Sequence, residues 1–368
     1  MVNNMNSKRL YFKSPLIGNR YSENFELPDF LRKDGKFSRE KTLNKIVREE
    51  YGEIDESGVE ISVKDVTDEK FDIEYGYSFC GKSKHIALEF RVTKNEKSAT
   101  FVADLFVPTH VKSPDYVVQI DFMKNLPAKY CPVEELMDGK IAVAHLYYEE
   151  ISTDDGDFLN GIASVLVNRS DEFSAGKLSL WAYAAKIVGE YLLKETYTVK
   201  EKLYVAGHSR LGKTALLAAA KYSIFAGCMV NCSGCSGAAI SREKHGETIK
   251  DIVDVFPFWF TPNYKKYAEK EDEMPFDQHY LMASVAPRKV FIVAASEDDW
   301  ADTDAQYLCA EAASAAYKDF GLTGLCEREK MLEIGEKNIG GEISFFVREG
   351  VHFFSREDWA FYLECLQA

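Results

Sequence analysis

Apolar and polar residues alternate along 86–92 and again along 99–107, the period of two that turns one face of a strand toward a core. These segments predict a hairpin or meander. Beyond them the pattern changes to short continuous apolar runs at 116–122, 140–147, 203–206, 229–232, 290–294 and 343–347, as expected of strands buried on both faces. Between and after the runs the spacing is helical. In 178–193, Leu180, Ala184, Ile187, Val188 and Tyr191 share one stripe; helices are also predicted at 214–221, 304–320 and 356–366. Strands alternating with helices imply a mainly parallel sheet covered on both faces, a three-layer α-β-α sandwich that starts with an antiparallel pair. Residues 1–70 are polar, with weak periodicity, and read as an N-terminal extension packing on that core. No repeat, low-complexity tract or linker divides the remainder, so 71–368 is expected to be one α/β domain.

Composition narrows the range of partners. The 368 residues are 46% hydrophobic and 28% charged, which excludes a disordered chain. A net charge of −14 argues against nucleic acid and anionic membranes, which select basic faces. No run reaches the ~18 consecutive apolar residues that a membrane helix needs. The first residues carry Lys8, Arg9 and Lys13 without an apolar stretch, so no signal peptide is expected. The 8 cysteines are too sparse for a disulfide scaffold and read as free thiols of a reducing, cytoplasmic setting.

Chemistry concentrates where the run 203–206 meets a helix, in Gly207-His208-Ser209-Arg210-Leu211-Gly212-Lys213-Thr214. A strand passing directly into Gly-x-Ser-x-x-Gly and then a helix is the setting of a nucleophile elbow in the α/β-hydrolase fold. There the serine sits on a sharp turn, between small neighbours, at the carboxyl end of the sheet. Two other readings compete. Ser209 also suits an ordinary helix N-cap. Gly207 through Thr214 also matches the Gly-x-x-x-x-Gly-Lys-Thr loop that cradles nucleotide phosphates, with Asp121 as its candidate acid. Phosphate loops usually follow the first strand of their fold, whereas this one comes late. The hydrolase reading further demands an acid and then a histidine downstream.

Both are present. His352 lies just past the run 343–347 and before the last helix, where a catalytic histidine loop belongs. His245 and His279 also follow Ser209 but lack that setting, and His85, His110 and His145 precede it and read as structural. The run 290–294 leads into Glu297, Asp298, Asp299 and Asp302, a cluster of carboxylates at one strand end. One of them is expected to orient the histidine and stabilise its charged form; others cap the next helix. Strand spacing favours Asp298, with Glu297 as the alternative acid. Serine, acid and histidine in order, each at a strand end, outweigh the phosphate-loop match.

The same residues carry a family likeness. Over roughly residues 85–368 the chain resembles carbohydrate esterase family 15, the glucuronoyl esterases and their bacterial acetylxylan-esterase-like relatives. Gly207-x-Ser209-Arg210-x-Gly212-Lys213 is similar to the family's nucleophile motif. Asn231-Cys232-Ser233-Gly234-Cys235, His245-Gly246-Glu247-Thr248, Phe256-Pro257-Phe258-Trp259-Phe260, Phe276-Asp277-Gln278-His279 and Trp300-Ala301-Asp302 match further family motifs. The resemblance implies ester cleavage through a Ser209 acyl-enzyme, with His352 as base and no metal or cofactor. It implies Arg210 at the oxyanion, Lys213 reaching sugar hydroxyls, and Glu247 and Trp300 holding a glucuronoyl ring. The implied substrate is the 4-O-methyl-glucuronoyl ester of a glucuronoxylan-derived oligosaccharide or a lignin–carbohydrate ester. Alternatives are an acetylxylan esterase acting on xylan oligosaccharides and a catalytically silent carbohydrate-binding relative.

One position departs from the family pattern. Many members carry the triad glutamate where this chain has Cys232, and a cysteine is no anionic partner unless its pKa is strongly lowered. The acid is then expected from Asp298, to which the strand spacing also points. Cys232-x-x-Cys235 lacks a second pair and reads as two buried thiols, not as a zinc site.

Overall fold

The computed structural model describes residues 9–367. Its strands are β1 (Arg32–Lys33), β2 (Lys36–Phe37), β3 (Glu60–Asp65), β4 (Ser83–Lys94), β5 (Lys97–Pro108) and β6 (Asp115–Asp121), then β7 (Ile141–Tyr147), β8 (Leu203–His208), β9 (Gly227–Asn231), β10 (Lys289–Ala295), β11 (Lys337–Asn338) and β12 (Ile343–Arg348). β1 and β2 form a small separate ribbon. The others build a ten-stranded sheet in the order β11-β12-β10-β9-β8-β6-β7-β5-β4-β3. The stretch from β7 to β12 is parallel throughout. The flanking strands β3, β4, β5 and β11 pair antiparallel.

The expected hairpin is β4 and β5, in register from Ser83 opposite Pro108 to Lys94 opposite Lys97. The apolar runs are buried on both faces because helices cover both sides of the sheet. Alternation along each strand divides the core into two layers. In β8, Leu203 and Val205 face one layer, Tyr204 and Ala206 the other. In β10, Val290, Ile292 and Ala294 face the first layer, Phe291 and Val293 the second. Helices Lys177–Lys194 and Arg210–Lys221 supply the first layer; Arg356–Gln367 closes the second. This is the three-layer α-β-α arrangement of an α/β-hydrolase.

Within 9–59, Leu10, Leu16, Tyr21, Phe25, Leu27 and Phe30 belong to the same buried cluster as the sheet. Tyr51 is fully buried, and its hydroxyl donates to Ser236 O (2.9 Å) and Gln278 Oε1 (3.0 Å). The edge strand β3 has no counterpart in the sequence reading. Val59, just before it, Ile61 and Val63 alternate with polar residues, but the alternation is short and none of the six strand residues is buried. No helix among the described residues is long and apolar enough to cross a membrane.

Candidate active site

The carboxyl ends of β8, β10 and β12 gather the residues that the sequence singles out. β8 ends at His208, and one residue later the helix Arg210–Lys221 begins. The intervening Ser209 has φ 56° and ψ −126°, a strained setting for a residue with a Cβ. Such a turn exposes the serine hydroxyl above the sheet. Only glycine fits at 207, because a Cβ there would lie 2.1 Å from the Leu211 carbonyl oxygen.

His352 follows β12 by four residues, and its Nδ1–H donates to Asp298 Oδ2 at 2.6 Å. The Asp298 Oδ1 accepts from the Ala301 amide at 3.2 Å. Burial disfavours the charged carboxylate, but the bond and charge of His352 outweigh it and hold Asp298 below the ordinary aspartate range. Glu297, the alternative acid, is solvent-exposed, and its backbone amide bonds Gly350 O at 2.9 Å. Of the two carboxylates, Asp298 is the one that meets His352.

His208 links this pair to the elbow. Its ring lies 4.4 Å from that of His352, centroid to centroid, and its Nδ1–H donates to Asn231 Oδ1 at 2.5 Å. Burial, reinforced by the neighbouring His352, pushes its pKa down to about 3, so it stays neutral beside the base. Asn231 in turn donates to Asp358 Oδ2 at 3.0 Å. Of the remaining histidines, His85 bridges Asp72 and Asp104, and His279 contacts Pro28 O at 3.0 Å.

The histidine loop is braced from below by Arg348. Its guanidinium donates to the carbonyls of Glu349 (2.6 Å), Val351 (2.8 Å) and Phe353 (3.0 Å), the turn that carries His352. Its Nε lies 2.7 Å from the fully buried Asp358 carboxylate. Removing one member of such a buried pair strands the other charge, a cost of about 3–5 kcal/mol. Arg348→Met is thus expected to lower urea-unfolding stability by that order, with Asp358→Asn restoring part of it. An unchanged midpoint in Arg348→Met would show that the brace contributes nothing.

Arg210 is placed differently from the simple expectation of a guanidinium open to the oxyanion. Its guanidinium is ion-paired with Asp154 and lies 4.7 Å from the Trp259 ring and 5.1 Å from that of Phe256. Trp259 Nε1–H donates to Asp154 Oδ1 at 2.6 Å, closing the clamp. Asp154 is itself set by Lys177, whose buried ammonium donates to Ser152 Oγ (2.7 Å) and Asp157 O (2.6 Å) on the same loop. Burial lowers the Lys177 pKa to about 8. Sequence reasoning passed over Asp154 and Lys177. The available signal was the acidic stretch Asp154-Asp155-Gly156-Asp157, which follows β7 after the short helix Tyr148–Ile151.

Lys213 meets protein groups in this structure. Expected at sugar hydroxyls, its ammonium is buried and donates to Ser233 O (2.6 Å), Cys235 O (2.6 Å) and Glu247 Oε2 (3.4 Å). The loop after β9 folds over it, so all three of its protons face protein, and it supports Glu247 from beneath. The same contacts remove the phosphate-loop reading, since Thr214 also turns inward, to Arg210 O at 3.0 Å. Glu247 and Trp300 lie side by side, the Glu247 amide donating to Trp300 O at 2.9 Å. The Trp300 side is 57% exposed, leaving its ring open to a ligand. Cys232 and Cys235 are buried free thiols.

The chain is similar to known carbohydrate esterases. A family profile described as "Glucuronyl esterase, fungi" matches residues 90–321. The carbohydrate esterase MZ0003, from an unknown prokaryotic organism, is 37% identical over 66% of this chain and 57% of its own length. The 4-O-methyl-glucuronoyl methylesterase of Podospora anserina is 26% identical over 49% of this chain and 40% of its own. The chain thus spans about half the length of these curated relatives. Among solved structures, a glucuronoyl esterase from Solibacter usitatus superposes with a TM-score of 0.80 at 26% identity, covering 89% of this chain and 91% of that one. With its profile match over most of the catalytic core and its serine elbow, aspartate and histidine in place, the chain belongs to the glucuronoyl esterases, carbohydrate esterase family 15.

Proposed function

We propose that the protein hydrolyses 4-O-methyl-glucuronoyl esters of xylan-derived oligosaccharides by acyl transfer. The observation that carries this reading is the Asp298–His352 contact of 2.6 Å at the strand ends beside the strained Ser209. With Nδ1–H given to Asp298, the other ring nitrogen, Nε2, is free to take the Ser209 proton as the hydroxyl attacks the ester carbonyl. The Arg210 amide begins a helix and so has no acceptor within it, which suits it to the developing oxyanion. The clamped Arg210 guanidinium adds a fixed positive charge alongside. The alcohol leaves with the proton from His352, and water then releases the uronic acid by the same route.

A polar platform of Glu247 and Trp300 favours a sugar-sized acyl group over acetate. A small ester panel tests this. Benzyl and methyl glucuronate are expected to exceed 4-nitrophenyl acetate and methyl galacturonate in kcat/KM by at least about a hundredfold, because a site built to hydrogen-bond sugar hydroxyls rejects substrates that lack or misplace them. A preference for the acetate ester would point to deacetylation instead.

A further inference from the structure

Cys232 has a neighbourhood that the esterase reaction does not use. Its backbone adopts φ 45°, with its amide donating to Val293 O at 2.8 Å. This fixes the side chain behind the Asp298–His352 pair. The Cys232 sulfur, an Asp298 oxygen and a His352 ring nitrogen all lie within 4.8 Å of one another. Thiol, carboxylate and imidazole are the three donor types that zinc and its relatives prefer. Ligands of one tetrahedral zinc stand at ~2.0–2.3 Å from the ion, hence some 3–4 Å apart. The three side chains need to adjust by only about an ångström to meet that geometry. Cys232 and Asp298 are buried while the His352 side chain is 41% exposed, so an ion would enter past the imidazole.

We propose that Cys232, Asp298 and His352 form an inhibitory site for a thiophilic divalent cation such as Zn²⁺. This departs from the metal-free expectation of the sequence, which weighed Cys232 as a metal ligand only together with Cys235. The inhibitory effect rests on the reading of His352 as the base. The cation inserts between Asp298 and His352, replacing the Nδ1–H···O hydrogen bond with metal–oxygen and metal–Nδ1 bonds. The His352 proton moves from Nδ1 to Nε2. The Cys232 S–H bond breaks, its proton goes to water, and a metal–sulfur bond forms; water completes the fourth position. No electron is transferred. With Nε2 protonated, the imidazole has no lone pair for the Ser209 proton, and catalysis stops.

A glutamate in place of Cys232 would leave a carboxylate-rich set that suits harder ions; the thiol makes the site selective for soft ones. Without a cation, burial and the neighbouring carboxylates Asp298 and Asp358 push the thiol pKa up, so Cys232 stays neutral and leaves Asp298 as the anion of the triad.

The test is a Zn²⁺ titration of ester hydrolysis by the full chain, followed by EDTA, in the wild type, Cys232→Ala and Cys232→Ser. Reversible inhibition is expected, weakened about tenfold or more in both variants. In parallel, Cd²⁺ is added to Ser209→Ala and to Ser209→Ala/Cys232→Ala, and the ultraviolet thiolate-to-cadmium band is recorded. The difference between the two spectra is expected to show a band that depends on Cys232. Cys80 and the other thiols are common to both proteins and cancel. Because the band needs no turnover, it reports on the site even if the esterase reading fails. Equal zinc sensitivity with and without Cys232, or no Cys232-dependent cadmium band, overturns the proposal.

Discussion

Ser209→Ala is expected to reduce hydrolysis of benzyl glucuronate by roughly 10⁴- to 10⁶-fold, the scale seen when a serine nucleophile is deleted from a triad. The loss should fall on kcat, with substrate binding retained through Glu247 and Trp300. Stability should hardly change. Ser209 precedes the helix Arg210–Lys221, yet its side chain makes no capping bond to it. An N-cap serine would instead cost ~1 kcal/mol on replacement by alanine. The two roles therefore separate in one pair of measurements, turnover and thermal unfolding. Activity retained alongside a lowered Tm would reverse the assignment of Ser209 from nucleophile to cap.

The fold, the turn at Ser209 and the meeting of Asp298 with His352 were legible in the sequence for the same reason: all follow short-range rules. Buried parallel strands must be apolar, so β6, β8, β10 and β12 announce themselves, and α/β-hydrolases place their nucleophile, acid and base at the ends of such strands. Asp298 was separable from Glu297 because one residue along a loop decides which carboxylate faces the histidine. What escaped the sequence depends on long-range packing. β3 is an exposed edge strand whose alternation, Val59, Ile61 and Val63, is too short to stand out from the polar stretch around it. Asp154 meets Arg210 across 56 positions, and Lys177 stands behind both; nothing local in either stretch requires the encounter. Lys213 shows the converse limit of a motif. Its motif is specific, but a motif does not say whether a lysine ends in the cleft or under a loop, and here the carbonyls of Ser233 and Cys235 capture it. The proximity of Cys232 to the base follows from β9 lying next to β10 in the sheet, which brings residues 232 and 298 to one edge.

That adjacency sets up the second large effect. Asp298→Asn is expected to lower kcat by about 10⁴-fold, since an amide cannot hold Nδ1–H and stabilise the imidazolium as a carboxylate does. The substitution keeps the size of the side chain and an oxygen for the Ala301 amide, so the loop should stay folded. Cys232→Ala, by contrast, removes a neutral buried thiol and should cost far less activity. The decisive variant combines the two positions. With Asp298→Asn in place, Cys232→Glu returns a carboxylate to within reach of the same imidazole, from β9 instead of β10. Partial recovery of kcat, without matching recovery in Asp298→Asn/Cys232→Gln, would show that the charge restores function and that the strand of origin matters little. A loss from Cys232→Ala larger than that from Asp298→Asn would instead place the working acid-side partner on β9 and overturn the assignment of Asp298.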